Sequence, residues 1–398
     1  MPRIVIIGAG PAGLILAITL ASNLRPTDNV DVVVLERSAY WYHTDGTPRA
    51  YTTASFVPKL FIPLDNAIPK AAASFVRIVR AVALKIATEP RNEVVYREIG
   101  HDDQEVLGQD VTLAFDYLVI ATGSGYCTPI KQPANAYSRA ATEAQLTEVR
   151  EQIEKAQRIL VIGGGTVGCE VAGDIAAKFP DKSVTILNAL PTLLANNKVS
   201  DKFRDRLHNA LSKLNVQLIL GERLVTDQAR MTANCFEKRT LVTDKGTTIE
   251  SDIQLFCGGF YPVAMLVQEM DASLVDTQGF VKVNAQLQFA DIRHDHIFAL
   301  GDVSDNPSPK LTLVAVAQAR FLAGEFVAVL RKKQSEFKPF PNVEGEMMAV
   351  SLGPYGGVGH IPIFGGIVIG DFFTRFKARD MFAGRYWKAV GATMPPSP

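Results

Sequence analysis

Arg3-Ile4-Val5-Ile6-Ile7-Gly8-Ala9-Gly10-Pro11-Ala12-Gly13 opens the chain, and the rest is read outward from it. Ile4 to Ile7 is an uninterrupted aliphatic run, the mark of a strand buried on both faces. G-x-G-x-x-G follows, and Leu14 to Leu20 continues as a helix. In such a turn Gly8 serves the tight bend, Gly10 the approach of a pyrophosphate to the backbone, and Gly13 the packing of helix on strand. Pro11 and Ala12 fall in the first helical turn, where unpaired N–H groups and the macrodipole favour an anion. A second apolar run, Val30 to Leu35, ends in Glu36, with Arg37 next. An acid about 20 residues past the glycines accepts hydrogen bonds from a ribose hydroxyl. Strand, glycines, helix, strand and acid in that order predict a dinucleotide-binding unit.

The device recurs. Arg158 to Ile162 leads into Gly163, Gly165 and Gly168, with Thr166 and Val167 in the first helical turn. Its partner strand, Ser183 to Leu187, ends in a neutral Asn188, with no arginine directly after it. That predicts weak discrimination between NADH and NADPH. Glu170 lies just inside the second helix, as a favourable first-turn charge or as a nicotinamide-side group. Three more strands break into small residues: Phe115 to Ile120 into Ala121-Thr122-Gly123, Asp252 to Phe256 into Cys257-Gly258, and Ile297 to Leu300 into Gly301-Asp302. A carboxylate at the last position can bond a ribityl hydroxyl. After Lys310 a helix is predicted from Leu311 to Arg331, its N-terminus beside whatever Asp302 holds. The fold expected is α/β, with two tandem Rossmann-like dinucleotide-binding domains and a small C-terminal α+β domain. The divisions are 1–140 and 273–335 for the first unit, 141–272 for the second, and 336–398 for the tail.

Composition narrows the function. The chain has 398 residues, 41 basic and 41 acidic, so it carries no global nucleic-acid footprint. The four cysteines, Cys127, Cys169, Cys235 and Cys257, form no C-x-x-C, which speaks against a dithiol centre or a zinc ribbon. They read as small buried apolar residues. His294 and His296 are spaced H-x-H without a further ligand nearby, so no metal is expected. No signal peptide and no 18-residue apolar run is visible, and Pro2 breaks the N-myristoylation pattern.

His43 and Arg49 lie in the loop after Glu36, which faces the ligand crevice in such folds. Short strands are expected over Ser74 to Lys85 and Asn92 to Tyr96. Further on, a helix is expected over Arg204 to Leu214 and a hairpin around Asp244-Lys245-Gly246. In the tail, a hairpin is expected over Met347 to Ile363 around a glycine turn, Gly356 to Gly359. After it, Gly365 to Phe382 reads as an amphipathic helix, either packed on the core or lying at a membrane surface or dimer contact.

Taken together, the two glycine devices and the Thr-Gly and Gly-Asp turns resemble the two-dinucleotide-binding flavoprotein superfamily. Within it the chain resembles the apoptosis-inducing-factor-like NAD(P)H:quinone oxidoreductases of the ferroptosis-suppressor branch. Arg49-Ala50, Gly163 to Gly165 with Gly168 and Glu170, Gly301-Asp302, Pro309-Lys310, Gly356 to Gly359, and Ala378 to Phe382 with Trp387-Lys388 carry that likeness. The resemblance implies FAD in the first unit, at Gly8, Gly10, Pro11, Ala12, Gly13, Glu36, Arg37, Arg49, Val82, Ala121, Thr122, Gly123, Gly301 and Asp302. It implies NADH or NADPH in the second, at Gly163, Gly165, Thr166, Val167, Gly168, Glu170, Asn188 and Gly258.

The implied activity is hydride transfer from NAD(P)H to flavin, with electrons passed on to a quinone-like acceptor. Lys310 is expected beside the reduced flavin, and Gln318, in Ala315-Val316-Ala317-Gln318, on the quinone side. Two other functions stay open: reduction of a small electron-carrier protein, and slow-turnover redox signalling. A monomer or homodimer in the cytoplasm is expected, with peripheral contact at a lipid droplet or the mitochondrial outer surface as the alternative to a tail packed on the core.

Overall fold

The computed structural model describes residues 1–100, 103–126, 129–132, 138–225 and 233–396; Cys127 lies outside them. Arg3–Ile7 is the middle strand of the five-stranded parallel part of a seven-stranded sheet. Asp31–Glu36 pairs with it on one side and Tyr117–Ile120 on the other, both parallel. Val76–Ala87 and Ile297–Ala299 extend the parallel part outward. Glu93–Ile99 and Glu105–Ala114 complete the sheet antiparallel. Ile4, Val5 and Ile6 have no solvent exposure, as a strand covered on both faces requires. Because Ile297–Ala299 comes from late in the chain, the first unit closes only after the second has been built.

The second sheet is all parallel, in the order Gln217–Leu220, Ser183–Asn188, Arg158–Ile162, Ile253–Phe256. The chain leaves the first unit through Ser124–Tyr126 and returns through Phe260–Pro262, and these two strands pair antiparallel. The hairpin of Arg239–Val242 and Thr248–Ser251 stands beside the second sheet.

Thr312–Leu330 is long and apolar enough to cross a membrane by length and composition. It packs instead on Pro11–Asn23, with Ala319, Leu322, Ala323 and Phe326 fully buried.

Several elements differ from the sequence reading. Val76–Ala87 is one long strand whose register slips between Ala83 and Lys85. Glu105–Ala114 escaped notice because Gly108, at φ +77°, interrupts its alternation. Cys235 is half-buried, whereas Cys169 and Cys257 are buried. In the tail, Gly357–Ile361 is a strand between Met348–Ser351 and Ile367–Ile369, so the glycine run is mostly strand. Only Asp371–Asp380 is helical there. Gly365 and Gly366, at φ +79° and +99°, turn the chain back, and main-chain pairing to Gly359–Ile361 outweighs the apolar period of the sequence.

Candidate functional site

Both glycine turns stand at the carboxyl end of a central parallel strand, and they are built alike. Gly8 has φ +101°, and a Cβ there would stand 2.5 Å from the Ala121 carbonyl oxygen. Gly163, at φ +118°, is pressed the same way against the Cys257 carbonyl. Gly13 and Gly168 each bring a helix so close to the preceding turn that a side chain would collide with the carbonyl of Gly8 or Gly163.

Gly10 and Gly165 are different. They are the N-caps of Pro11–Asn23 and Thr166–Lys178, at φ −70°, ψ −172° and φ −77°, ψ −177°. Any residue adopts that backbone, and a Cβ on either would meet nothing within 4 Å. Protein packing gives neither position a reason to be glycine. The open space fits a phosphate group drawn against the helix N-terminus.

Glu36 ends the strand beside the first turn. Its carboxylate accepts from Ala9 N–H at 2.5 Å and from Ser38 N–H at 2.8 Å. Asn188 takes the corresponding place in the second unit, where Oδ1 accepts from Gly164 N–H at 3.0 Å. Arg37 follows Glu36, Val82 is half-buried on the neighbouring strand, and Gly258 follows the strand Ile253–Phe256. Thr122 Oγ1 donates to the Val263 carbonyl at 2.6 Å and Gly123 O accepts from Val263 N–H, so this turn is tied to the returning crossover strand.

Gly301-Asp302 is brought to the same end of the first sheet. The Asp302 carboxylate accepts from Ser124 Oγ at 2.6 Å and pairs with Lys131 at 3.2 Å. Lys310 donates to the carbonyls of Ser304 and Asn306, both at 2.7 Å. Burial lowers its pKa, against the pull of Asp302, Asp305 and Asp276.

Gln318 is 2% exposed and engaged at both ends of its amide. It accepts from Gly301 N–H at 2.8 Å and donates to Asn306 Oδ1 at 3.1 Å. The amide thus clamps the Gly-Asp turn. Gln318→Leu should lower the stability of the flavin-free protein by about 1–3 kcal/mol, because Gly301 N–H is left buried without a partner. Urea unfolding checks this. Unchanged stability with lost quinone reduction would return Gln318 to the acceptor side.

Glu170 lies where the second nucleotide helix meets the tail. Its Oε1 accepts from Ser351 N–H at 3.0 Å, Ser351 Oγ at 3.2 Å and Lys377 Nζ at 2.6 Å. One helical turn on, Asp174 accepts from Arg49 Nε at 2.8 Å, and Arg49 also donates to the Ala378 carbonyl at 2.7 Å. His43, buried, donates through Nε2 to the Met381 carbonyl at 2.8 Å. Burial lowers the His43 pKa. Arg49 and His43 were expected at the crevice; here their polar contacts run to the second unit and the tail. Sequence reasoning missed Asp174, Ser351 and Lys377. The signal was present: Glu170 and Asp174 are acids at i and i+4 on an otherwise apolar helix, hence on one face.

Comparison with known proteins decides the family. The pattern of the pyridine nucleotide-disulphide oxidoreductases matches residues 2–319. The chain belongs to that family. This oxidoreductase is 28% identical over 408 residues to apoptosis-inducing factor homolog B of Dictyostelium discoideum, covering 99% of the chain and 98% of that protein. It is 27% identical to human ferroptosis suppressor protein 1, covering 99% and 97%.

Among solved structures, the sulfide:quinone oxidoreductase of Aquifex aeolicus is similar with a TM-score of 0.72 at 16% identity, covering 100% of the chain and 93% of that chain. The water-forming NADH oxidase of Lactobacillus brevis, bound to NADH, has a TM-score of 0.61 at 19% identity, covering 90% and 75%. As a member of its family this oxidoreductase is a flavoprotein that uses FAD and a nicotinamide dinucleotide. The two empty-sided cradles fit those groups.

Proposed function

We propose that this oxidoreductase takes hydride from NAD(P)H at the second cradle and delivers electrons to a quinone-like small molecule. One observation carries the reading. The chain holds two cradles of the same construction, Gly10 and Gly165 open in each, and no C-x-x-C through which electrons could leave as a dithiol. Full-length similarity to ferroptosis suppressor proteins and the fold shared with a sulfide:quinone oxidoreductase support a quinone acceptor.

Bound FAD supplies the hydride acceptance and onward electron transfer. The chain's residues hold and orient. Glu36 and Asp302 are the carboxylates available to ribose and ribityl hydroxyls. The N-terminus of Thr312–Leu330, with Lys310 near it, offers positive potential to a reduced isoalloxazine. Glu170, held by Ser351 and Lys377, positions the nicotinamide side of the second helix. Ile363, Phe364 and Ile367 stand exposed on the tail, Phe364 at 96%, which supports a peripheral membrane contact for this segment.

The test is anaerobic reduction of the purified yellow protein by NADH and by NADPH, followed by mixing with menadione or a short-chain ubiquinone. Rapid reoxidation is expected. Reoxidation by an added ferredoxin or rubredoxin but not by quinones would replace the acceptor. A stable reduced complex with negligible turnover on either would favour redox signalling.

A further inference from the structure

Phe364 is 96% exposed at the tip of the loop between Gly357–Ile361 and Ile367–Ile369. It also sits at φ +50°, and Gly365 and Gly366 follow at φ +79° and +99°. Left-handed residues in succession suit glycine, and a bulky side chain there is strained. Phe364 is thus unfavourable twice over, in its backbone and in its hydration. Strain and an exposed aromatic ring at one loop tip mark a contact made outside the fold.

The loop is fastened to the second unit. A Cβ on Gly366 would stand 3.0 Å from the Ser200 hydroxyl, and His360 Nε2 accepts from Ser200 N–H at 3.3 Å. Ser200 is the N-cap of the helix Asp201–Lys213. Farther along that helix, the Arg206 guanidinium lies over Gly370, too close to admit a side chain there. Ile367–Ile369, the edge strand of the tail sheet, therefore runs beside the exposed flank of Asp201–Lys213.

That flank is cationic. Lys202, Arg206 and Lys213, spaced i, i+4 and i+11, share one helix face and line a cleft of about 630 Å³ against Gly356 and Gly357. All three are exposed, and none is in an ion pair among the described residues. Two acids share the cleft: Asp205, which is exposed, and Asp371, whose Oδ1 accepts from Gly357 N–H at 3.2 Å. Arg375, a turn past Asp371, is a further exposed cation.

We propose that Phe364 enters a bilayer while Lys202 and Arg206 meet the anionic headgroups around it, so that this chain docks on negatively charged membranes through its second unit as well as its tail. The inference rests on the peripheral membrane contact read above from the exposed tail, and deepens it. An apolar tip with cations beside it matches an anionic bilayer, which takes up the ring and attracts the charges. Charge decides against a second copy of the chain, because a two-fold contact through the tip would set these cations against their own counterparts.

Flotation of the FAD-loaded full-length protein with vesicles of phosphatidylcholine, alone or mixed with phosphatidylserine, tests it. The wild type should partition at least about tenfold more strongly onto the mixed vesicles, and added salt should weaken that preference. Phe364→Asn, a polar residue that tolerates left-handed backbone, should keep its flavin and its thermal melt but bind both vesicles at least about tenfold more weakly. Lys202→Gln with Arg206→Gln should bind the two vesicles alike, and Lys202→Arg should retain the preference. Equal partitioning of the wild type, or a preference that survives the double substitution, would overturn the proposal and leave the tail contact standing. If the wild type floats with neither vesicle, both fall; a dimer that Phe364→Asn converts to monomer in light scattering would then assign the tip to a second copy.

Discussion

Gly10→Asp should yield a protein at least as stable as the wild type when both are flavin-free, yet unable to retain FAD. The two effects have opposite signs because the proposed reading gives Gly10 to the ligand, and protein packing makes no use of it. It occupies an extended backbone conformation as the N-cap of Pro11–Asn23, without a side-chain cap, and nothing lies within 4 Å of a Cβ built there. Aspartate is a preferred N-cap, as good as glycine or better by a few tenths of a kcal/mol. Its carboxylate suits the positive end of the helix. The same carboxylate would fill and charge the space meant for a pyrophosphate. FAD affinity should fall at least about a hundredfold, roughly 2.8 kcal/mol. The visible spectrum of the purified protein and a thermal melt of the flavin-free forms give the two readouts. Flavin-free samples must be compared, since ligand binding itself raises apparent stability.

Gly165→Asp is the matching change in the second unit, where the N-cap geometry and the open space are the same. It should retain its flavin and lose nucleotide binding. A yellow Gly10→Asp protein, or a Gly165→Asp protein that still binds 5′-AMP, would remove the corresponding cradle.

These turns were legible in the sequence because the fold imposes local rules on them. Tight bend, close approach and helix packing all act within a dozen residues, and glycine is the only residue that meets the first and third. The parallel strands were legible for a similar reason: burial on both faces forces continuous aliphatic runs such as Ile4 to Ile7 and Leu160 to Ile162.

The tail was harder. Ile367–Ile369 becomes strand through pairing with Gly359–Ile361, a partner whose own apolar pattern is diluted by glycine. The cluster around Glu170 was legible only in the spacing of Glu170 and Asp174, for a different reason. Its members, Arg49, Glu170, Asp174, Ser351 and Lys377, come from the first unit, the second unit and the tail. No local pattern records that they meet.

Arg49→Met should be the most damaging single substitution outside the glycine turns. Arg49 and Asp174 are both buried, with side-chain exposures of 5% and 1%. Arg49 ties the short helix Thr47–Ala50 to the second nucleotide helix and, through Ala378, to the tail. Removing the guanidinium strands a carboxylate in the interior, at a cost of about 3–5 kcal/mol at neutral pH. Asp174→Leu in the same chain should recover most of that loss, because an apolar pair of similar volume replaces a buried ion pair at little cost.

The pH dependence gives an independent check. Burial pushes the Asp174 carboxyl up to about 6, with Arg49 and Lys377 opposing and Glu170 adding to the rise. The folded chain therefore holds this proton more tightly than the unfolded chain, whose carboxyl titrates near 3.8. The contribution is fully favourable below about pH 4, falls as pH rises towards 6, and is flat above. Without Arg49 the carboxyl should titrate higher still, so the Arg49→Met defect should be smaller at pH 5 than at pH 8. Chemical unfolding at the two pH values measures it. An equal defect at both, or a double variant as unstable as the sum of the singles, would mean that Arg49 acts through packing and its bond to Ala378 rather than by neutralising Asp174.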